Sequence, residues 1–273
     1  MSSPEVANSI QTGIFETNYH DVGSGDPLFL IHGSGPGVTA WANWRLVIPA
    51  LAEQHRVIAP DMAGFGYTER VEGYEYTMEN WVQQALDLMD ALEIKKTHLV
   101  GNSFGGALAI ALAIRAPERV DRLILMGAAG VPFTLTPALD EAWGYEPSVE
   151  NMRKMMDLFA YDRSLVTDEL AQLRYEASIQ PGFQETFSQM FPAPRQRGVE
   201  ALASNLDDIK KIAHETLILH GREDVVVPPI TSTTLFDLIP NAQLHMFGCC
   251  GHWTQIEQNA RFIKLVKDFL SER

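Results

Sequence analysis

A serine set between glycines is the side chain best placed for chemistry in this sequence. Residues 101–105 read Gly-Asn-Ser-Phe-Gly, directly after the apolar run His98–Val100 and directly before the helical run Gly106–Arg115. Small flanking residues let a chain turn sharply from a strand into a helix, which leaves the serine exposed in a strained conformation. Backbone N–H groups at the start of that helix can stabilise negative charge. The pattern predicts that Ser103 is a nucleophile, and the alternative is a tight glycine turn without chemistry.

A serine nucleophile needs a base and a carboxylate, and the sequence offers both further along the chain. The base takes the hydroxyl proton, and the carboxylate orients the base. Asp224 follows the apolar run Thr216–Leu219, and His252 follows the run Gln243–Phe247. All three residues therefore fall at the carboxyl ends of expected strands, where ligands bind in open α/β sheets. Their order, serine then acid then histidine, predicts a catalytic triad of Ser103, Asp224 and His252.

Other residues near these positions have weaker claims to a catalytic or metal-binding role. Glu223 is the alternative acid, but a carboxylate one residue away on a short loop would point elsewhere, so Asp224 is favoured. Cys249 and Cys250 adjoin His252, yet no second ligand pair stands at zinc spacing, and we expect no metal. His220 is expected to pack beside the acid loop. A packed or surface role is also expected for the other histidines outside glycine turns, namely His20, His55, His98, His214 and His245.

A glycine-rich loop follows the first long apolar run and can supply donors to an oxyanion. Residues 32–37 read His-Gly-Ser-Gly-Pro-Gly, directly after Leu28–Ile31. In hydrolases with this kind of serine turn, that loop provides one oxyanion donor and the residue after the nucleophile provides the other. We therefore predict an oxyanion hole formed by the backbone N–H groups of Ser34 and Phe104. A phosphate-binding loop is disfavoured because the glycine spacing is wrong and Pro36 has no N–H.

Short apolar runs alternate with helical stretches along most of the chain. This alternation predicts a mostly parallel sheet with helices on both faces. The strand rhythm stops at about residue 132 and resumes after residue 205, and the intervening segment is helical and punctuated by prolines. We predict one core domain, residues 1–131 and 206–273, with residues 132–205 inserted as a helical lid. The expected strands are Leu28–Ile31, Arg56–Ala59, His98–Val100, Leu123–Met126, Thr216–Leu219 and Gln243–Phe247.

Composition limits the possible partners and surroundings. The 273 residues carry a formal net charge of −14 without a basic cluster, which disfavours nucleic acid and anionic membrane surfaces as partners. No apolar run is long enough to span a bilayer, and residues 1–9 lack the basic start and apolar run that we would expect of a secretion signal. The two adjacent cysteines cannot form a useful disulfide framework. These features predict a protein of the cytoplasm.

With these motifs in place, the chain resembles the meta-cleavage product hydrolases of aromatic degradation, which have the α/β-hydrolase fold. The resemblance extends from about Gln11 to Leu270 and is most specific at residues 32–37, at Trp41–Trp44, at residues 101–106 and at Cys250–Trp253. It implies a hydrolase that cleaves the C–C bond of 2-hydroxy-6-oxo-hexa-2,4-dienoates with hydrogen or a small alkyl group at C6. It also implies that no cofactor is used and that the protein is a homodimer or a higher homo-oligomer.

The resemblance also implies which residues bind the substrate. Arg174 matches the family's carboxylate-binding arginine, and no helical neighbour of Arg174 at positions 170, 171, 177 and 178 is acidic. Gly33, Asn43 and Asn102 match polar contacts to the dienoate, and Trp253 matches the aromatic residue beside the histidine. Apolar side chains suited to a small acyl group are expected at Ala129, Leu139, Val199 and Val227.

Three other functions are compatible with parts of this pattern. A carboxylesterase or lactonase would use the same triad, since the triad does not choose between C–O and C–C bonds. A haloalkane dehalogenase would have aspartate in place of Ser103. A non-catalytic binding module would have no reason to keep all three triad residues at strand ends.

Overall fold

A computed structural model describes residues 3–272 of the chain, and its centre is an eight-stranded sheet. The strand order is β1-β2-β4-β3-β5-β6-β7-β8, in which β1 pairs antiparallel with β2, β2 pairs antiparallel with β4, and the remaining pairs are parallel. The strands are β1 Asn8–Thr12, β2 Phe15–Val22, β3 Asp26–Ile31, β4 His55–Pro60, β5 Thr97–Asn102, β6 Val120–Met126, β7 Thr216–Gly221 and β8 Ala242–Phe247.

The six expected strands correspond to β3–β8, and the predicted α/β-hydrolase fold is confirmed. The hairpin of β1 and β2 was not predicted. Polar residues interrupt both strands, so neither shows the continuous apolar run of a strand that is buried on both faces.

Helices cover both faces of the sheet because successive strand residues point to opposite sides. In β3, Phe29 and Ile31 belong to one hydrophobic core cluster, whereas Leu28 and Leu30 belong to the other. Helices α3 and α4 pack on the first face, and α1, α2 and α13 pack on the second. The helices outside residues 132–205 are α1 Ala40–Trp44, α2 Ile48–Leu51, α3 Met78–Ala91, α4 Phe104–Arg115, α10 Leu206–Ile209, α11 Ile230–Leu238, α12 Thr254–Glu257 and α13 Asn259–Ser271.

Within the described chain, residues 132–205 contain α-helices and no strand. The helix starts are set by local chemistry: Thr136, Ser148 and Thr167 each accept a hydrogen bond at the first turn of the following helix. These helices are α5 Pro137–Trp143, α6 Val149–Phe159, α7 Asp168–Ser178, α8 Phe183–Met190 and α9 Gln196–Leu202. None of the helices in residues 3–272 combines the length and the apolar character needed to cross a membrane.

Candidate active site

Ser103 occupies the sharp turn between β5 and α4. Its φ of 54° and ψ of −111° lie outside the regions that non-glycine residues normally adopt. The turn is closed so tightly that a Cβ on Gly105 would lie 2.2 Å from the carbonyl oxygen of Ile31, and one on Gly101 would lie 2.2 Å from the carbonyl oxygen of Gly105. The flanking glycines are therefore required by close backbone approach. The surrounding structure holds Ser103 in the strained position, because its N–H donates to Met126 O at 2.9 Å.

Asp224 and His252 form a buried hydrogen-bonded pair. The Nδ1 of His252 lies 2.6 Å from Oδ2 of Asp224, and both side chains are at least 97% buried. The other oxygen of Asp224 accepts the backbone N–H groups of Val226, at 2.8 Å, and Val227, at 3.0 Å. Burial alone would raise the pKa of Asp224, but the charge and hydrogen bonds of the neighbouring imidazoles outweigh it and hold that pKa well below its usual range. Asp224 is thus fixed as a carboxylate.

Glu223 points away from His252. Its carboxylate accepts the backbone N–H of Cys250 at 3.0 Å and two guanidinium N–H groups of Arg222 at 2.7 and 2.8 Å. The structure therefore brings Asp224, and not the alternative acid, to the histidine.

The imidazole of His252 lies beside Gly127, which follows Met126 at the end of β6. A Cβ on Gly127 would lie 3.4 Å from Nδ1 of His252, and the preceding residue, Met126, is bonded to the Ser103 backbone. Among the hydrogen bonds of residues 3–272, none joins the Ser103 hydroxyl to His252. Hydrogen bonds of this kind are often long in an unliganded enzyme and shorten when the substrate binds.

The loop that follows β3 is held so that two backbone donors stay free. The N–H of Gly33 donates to Oδ1 of Asn43 at 2.8 Å, and Nδ2 of Asn102 donates to the same oxygen at 3.0 Å. Within residues 3–272, the backbone N–H groups of Ser34 and Phe104 take part in no hydrogen bond. Both predicted oxyanion donors are therefore available to a ligand.

His32 braces this loop from inside the core. Its Nε2 accepts the N–H of Met62 at 3.0 Å, so its Nδ1 carries the proton and donates to Gly33 O at 2.8 Å. Burial lowers the pKa of His32 to about 4, which keeps the ring neutral. Sequence analysis gave His32 no role of its own.

A cavity of about 260 Å³ opens between the glycine-rich loop and the inserted helices. Its polar walls include Gly33, Asn43, Asn102, Arg174 and His252, and Trp253 lies beside the histidine. Oδ1 of Asn102 is buried without a partner among residues 3–272, so it can accept a hydrogen bond from a ligand. The apolar side chains that residues 132–205 contribute to the wall were not predicted and are Met152, Met155, Met156, Phe159, Leu165 and Leu170.

The four apolar residues expected at the acyl end do not line this cavity. Ala129, Leu139, Val199 and Val227 are at least 95% buried and belong to the main core cluster. Ala129 is nevertheless close to the nucleophile, because its N–H donates to the carbonyl oxygen of Ser103 at 3.1 Å. Their role in holding the acyl group stays a prediction.

Arg174 reaches the cavity from α7 but already has partners. Its guanidinium lies 3.3 Å from Oε1 of Glu5 and also donates to the carbonyl oxygen of Gly37. No carboxylate of α7 pairs with Arg174 within residues 3–272, yet Glu5 reaches it from the first residues of the chain, which helix spacing cannot reveal. A second guanidinium in the cavity wall belongs to Arg45, which forms an ion pair with no carboxylate within residues 3–272.

Comparison with known proteins agrees with this geometry. Residues 26–258 match the model of the alpha/beta hydrolase fold family. The chain is 64% identical to a 2-hydroxy-6-oxo-2,4-heptadienoate hydrolase of Pseudomonas putida, over 98% of this chain and 97% of that protein. It is 61% identical to a 2-hydroxymuconate semialdehyde hydrolase of a Pseudomonas species, over 99% and 96%. A solved meta-cleavage product hydrolase of Pseudomonas fluorescens superposes with a TM-score of 0.98 at 63% identity, covering 98% of each chain.

Proposed function

The chain belongs to the alpha/beta-hydrolase family and, within it, to the meta-cleavage product hydrolases, and we propose that it cleaves the C–C bond of 2-hydroxy-6-oxo-hexa-2,4-dienoates in aromatic degradation. The products are 2-hydroxypenta-2,4-dienoate and a carboxylic acid. The observation that carries the proposal is the 2.6 Å contact of His252 with Asp224, at the same sheet edge as the strained Ser103 and beside a cavity with two arginines.

The reaction begins with ketonisation of the dienol. A proton leaves the 2-hydroxyl group and a proton is added at C5, with His252 as the group that moves protons. The product carries carbonyl groups at C2 and C6, and its C3–C4 double bond is conjugated with the carbonyl group at C2. This form can accept an electron pair at C5 and delocalise it to the oxygen at C2.

Cleavage follows by attack of Ser103 on C6. His252 takes the hydroxyl proton, the C6 oxygen becomes an oxyanion, and the N–H groups of Ser34 and Phe104 stabilise it. The C5–C6 bond then breaks, its electron pair passes to the C2 oxygen, and a proton restores the neutral enol. Water, activated by His252, releases the acyl group from Ser103 as the carboxylic acid. Protein groups and water supply every proton and nucleophile, so we propose no cofactor.

Substrate orientation is proposed to follow the charges of the cavity. Arg174 binds the C1 carboxylate, with Arg45 adding positive charge nearby, and this is supported by their place in the cavity wall. Asn43, Asn102 and Gly33 lie near the oxygen at C2, and Trp253 packs beside the diene. Residues 132–205 serve as a lid, which is supported by the contribution of α6 and α7 to the cavity wall.

The proposed surroundings are the cytoplasm, with a homodimer or higher homo-oligomer as the working form. The oligomer is supported by apolar side chains exposed on and near α11, namely Val225 at 52%, Ile230 at 63% and Phe236 at 44%. The net charge of −14 disfavours nucleic acid as a partner, and we propose none. Light scattering of the purified protein, before and after Ile230→Asp, tests the oligomer.

The function is tested with the yellow dienolate products of catechol ring fission. The purified protein is expected to bleach the visible absorbance of at least one of them, and Ser103→Ala is expected to abolish turnover. Absence of bleaching with products carrying hydrogen, methyl, isopropyl or phenyl groups at C6 would rule the function out.

The carboxylesterase or lactonase alternative is separated from this function by Arg174. Arg174→Gln is expected to lower kcat/KM for the dienoate by about 100-fold and for a neutral ester by far less, because only the dienoate carries a charge for Arg174 to bind. Glu5→Gln is the matched control, since it breaks the same ion pair and leaves the arginine in place. Equal losses in both variants would mean that Arg174 acts by holding Glu5.

A further inference from the structure

His220 is buried directly beside the catalytic acid. It is the penultimate residue of β7, and its side chain has no exposed surface. Its Nε2 lies 3.0 Å from the carbonyl oxygen of Val227 and 3.2 Å from Oδ2 of Asp224. Its Nδ1 lies 2.6 Å from the hydroxyl of Ser232, which is also fully buried. Simple packing, the role expected from the sequence, does not account for three polar contacts.

The partners of His220 assign its proton. A carbonyl oxygen can only accept, so the nitrogen that faces Val227 must carry a proton. That N–H donates to the carbonyl oxygen of Val227, and the same nitrogen lies 3.2 Å from Oδ2 of Asp224. The other nitrogen then accepts the hydroxyl proton of Ser232, and this bond keeps the ring in the Nε2–H form.

Asp224 consequently accepts three hydrogen bonds and has a fourth N–H-bearing nitrogen, that of His220, 3.2 Å from Oδ2. Backbone N–H groups of Val226 and Val227 occupy Oδ1, whereas His252 at 2.6 Å and His220 at 3.2 Å share Oδ2. A donor on a carboxylate oxygen draws charge from it and weakens its attraction for any second proton carrier. His220 and His252 therefore compete for the same oxygen.

We propose that His220 is a positioning residue that fixes the Asp224 carboxylate and, by sharing its Oδ2, limits how strongly Asp224 holds a proton on His252. This role rests on the proposed function, since it concerns the base of the same triad. A base that bound its proton too tightly would stay protonated at neutral pH and could not accept the proton of Ser103. The contact thus keeps His252 available as a base.

The remaining titratable groups near this cluster are few and have other partners. The thiol of Cys250 is buried, which raises its pKa to about 12 and keeps it neutral. Glu223 is bonded to the N–H of Cys250 and to Arg222, and Glu257 is bonded to the N–H of Gly251. On the lid side, the group facing His252 is the uncharged ring of Phe159.

The test is the titration of His252 followed by NMR in the enzyme without substrate. His220→Leu removes the donor, and we expect the pKa of His252 to rise by about 0.5 to 1 unit. His220→Gln restores an N–H near the position of Nε2 and should return the titration close to the wild-type value. Ser232→Ala keeps the imidazole and its Val227 partner but removes the hydroxyl that helps to hold the ring, so a smaller rise is expected. This measurement does not depend on the folding of His220→Leu.

Thr231→Val is the matched control, because Thr231 is a buried neighbour on α11 whose hydroxyl has no partner within residues 3–272. The titration of His252 should not move in this variant. Identical titration of His252 in the wild type, His220→Leu and Ser232→Ala would overturn the proposal, as would a rise in Thr231→Val equal to theirs.

Turnover of the dienoate gives a second measurement. The acid limb of the kcat/KM profile should move to higher pH with the NMR titration, and kcat should fall by about tenfold in His220→Leu. Since the NMR titration needs no substrate, a protein that fails to bleach any dienoate would contradict the proposed function and leave the test of His220 standing.

Discussion

Replacement of Asp224 by asparagine perturbs the centre of the proposed relay with little change in shape. Four N–H groups lie within 3.2 Å of the carboxylate, two near each oxygen. An amide has one oxygen and one NH₂ group, so two of these donors must face NH₂ whichever way the side chain is turned. The two orientations have different consequences.

If the NH₂ group faces Val226 and Val227, two buried backbone N–H groups lose their acceptor, at a cost of about 1–3 kcal/mol each. If it faces the imidazoles, His252 can accept instead by moving its proton to Nε2, whereas His220 keeps its Nε2–H for the carbonyl oxygen of Val227. The second orientation costs less, so we expect it to prevail, with an overall loss of about 1–3 kcal/mol in the free energy of unfolding. In that state the proton of His252 sits on Nε2, toward Ser103, and the ring cannot act as a base.

The expected loss in kcat for Asp224→Asn is about 10⁴-fold, the size seen when the same change gives the wrong tautomer in a serine protease. This corresponds to about 5.5 kcal/mol of transition-state stabilisation. Dienolate bleaching under saturating substrate measures kcat, and chemical denaturation measures the stability loss. Glu223→Gln is the control, because Glu223 makes no contact with His252. Activity above about a tenth of the wild type in Asp224→Asn, or an equal loss in Glu223→Gln, would refute the assignment of the acid.

Three further predictions concern the supports of the site. Gly105→Ala should lower the free energy of unfolding by about 3 kcal/mol or more, because the new Cβ would lie 2.2 Å from a carbonyl oxygen. Gly35→Ala is the control and should be nearly neutral, because a Cβ there would have no atom within 4 Å. Similar denaturation midpoints for the two variants would contradict this prediction. The carboxylate of Glu257 accepts the backbone N–H groups of residues 161, 162 and 251, at 2.8, 2.9 and 2.8 Å, and so links the histidine loop to residues 161 and 162. Glu257→Ala should lower the free energy of unfolding by about 2–3 kcal/mol and should also lower kcat. Unchanged kcat would show that these hydrogen bonds do not position His252. The pKa of His32 is lowered from 6.5 to about 4, so between these pH values the folded state binds fewer protons than the unfolded state. The free energy of unfolding of the wild type should therefore fall as the pH is lowered from 6.5 to 4, by about 3 kcal/mol relative to His32→Asn. Burial raises the pKa of Asp61 to about 6, which gives a pH dependence of stability with the opposite sign. This contribution is the same in the wild type and in His32→Asn, so it cancels when the two are compared. Parallel curves of stability against pH for the two proteins would disprove the effect of His32.

The local parts of the site were readable from the sequence because each depends on a short stretch of chain. The turn at Ser103 needs a strand, small flanking residues and a helix in immediate succession, and all three can be recognised in the amino-acid sequence. The sheet order places the ends of β5, β7 and β8 at one edge, so the chain order of serine, acid and histidine was enough to propose a triad. The buried strands β3–β7 were equally visible, because a strand buried on both faces is largely an apolar run.

The contacts between side chains from distant segments were not readable. Glu5 meets Arg174 across 169 positions of sequence, and nothing in either segment specifies the other. His220 stands four residues before Asp224, a spacing that has no fixed meaning where a strand passes into a loop; only the fold of that loop turns its Nε2 toward the carboxylate. The apolar cavity wall came from α6 and α7, while the residues expected there lie in the core, because periodicity reports that a side chain is buried and not what it is buried against.

The chemistry available to this protein can be read from its primary structure, since the nucleophile, the base, the acid and the oxyanion loop are each encoded in a few adjacent residues. Only the packed structure decides which N–H groups surround the acid and which of the two cavity arginines forms an ion pair within residues 3–272. Those outcomes depend on directions and distances between segments, which are set only when the whole sheet and its inserted helices have packed together.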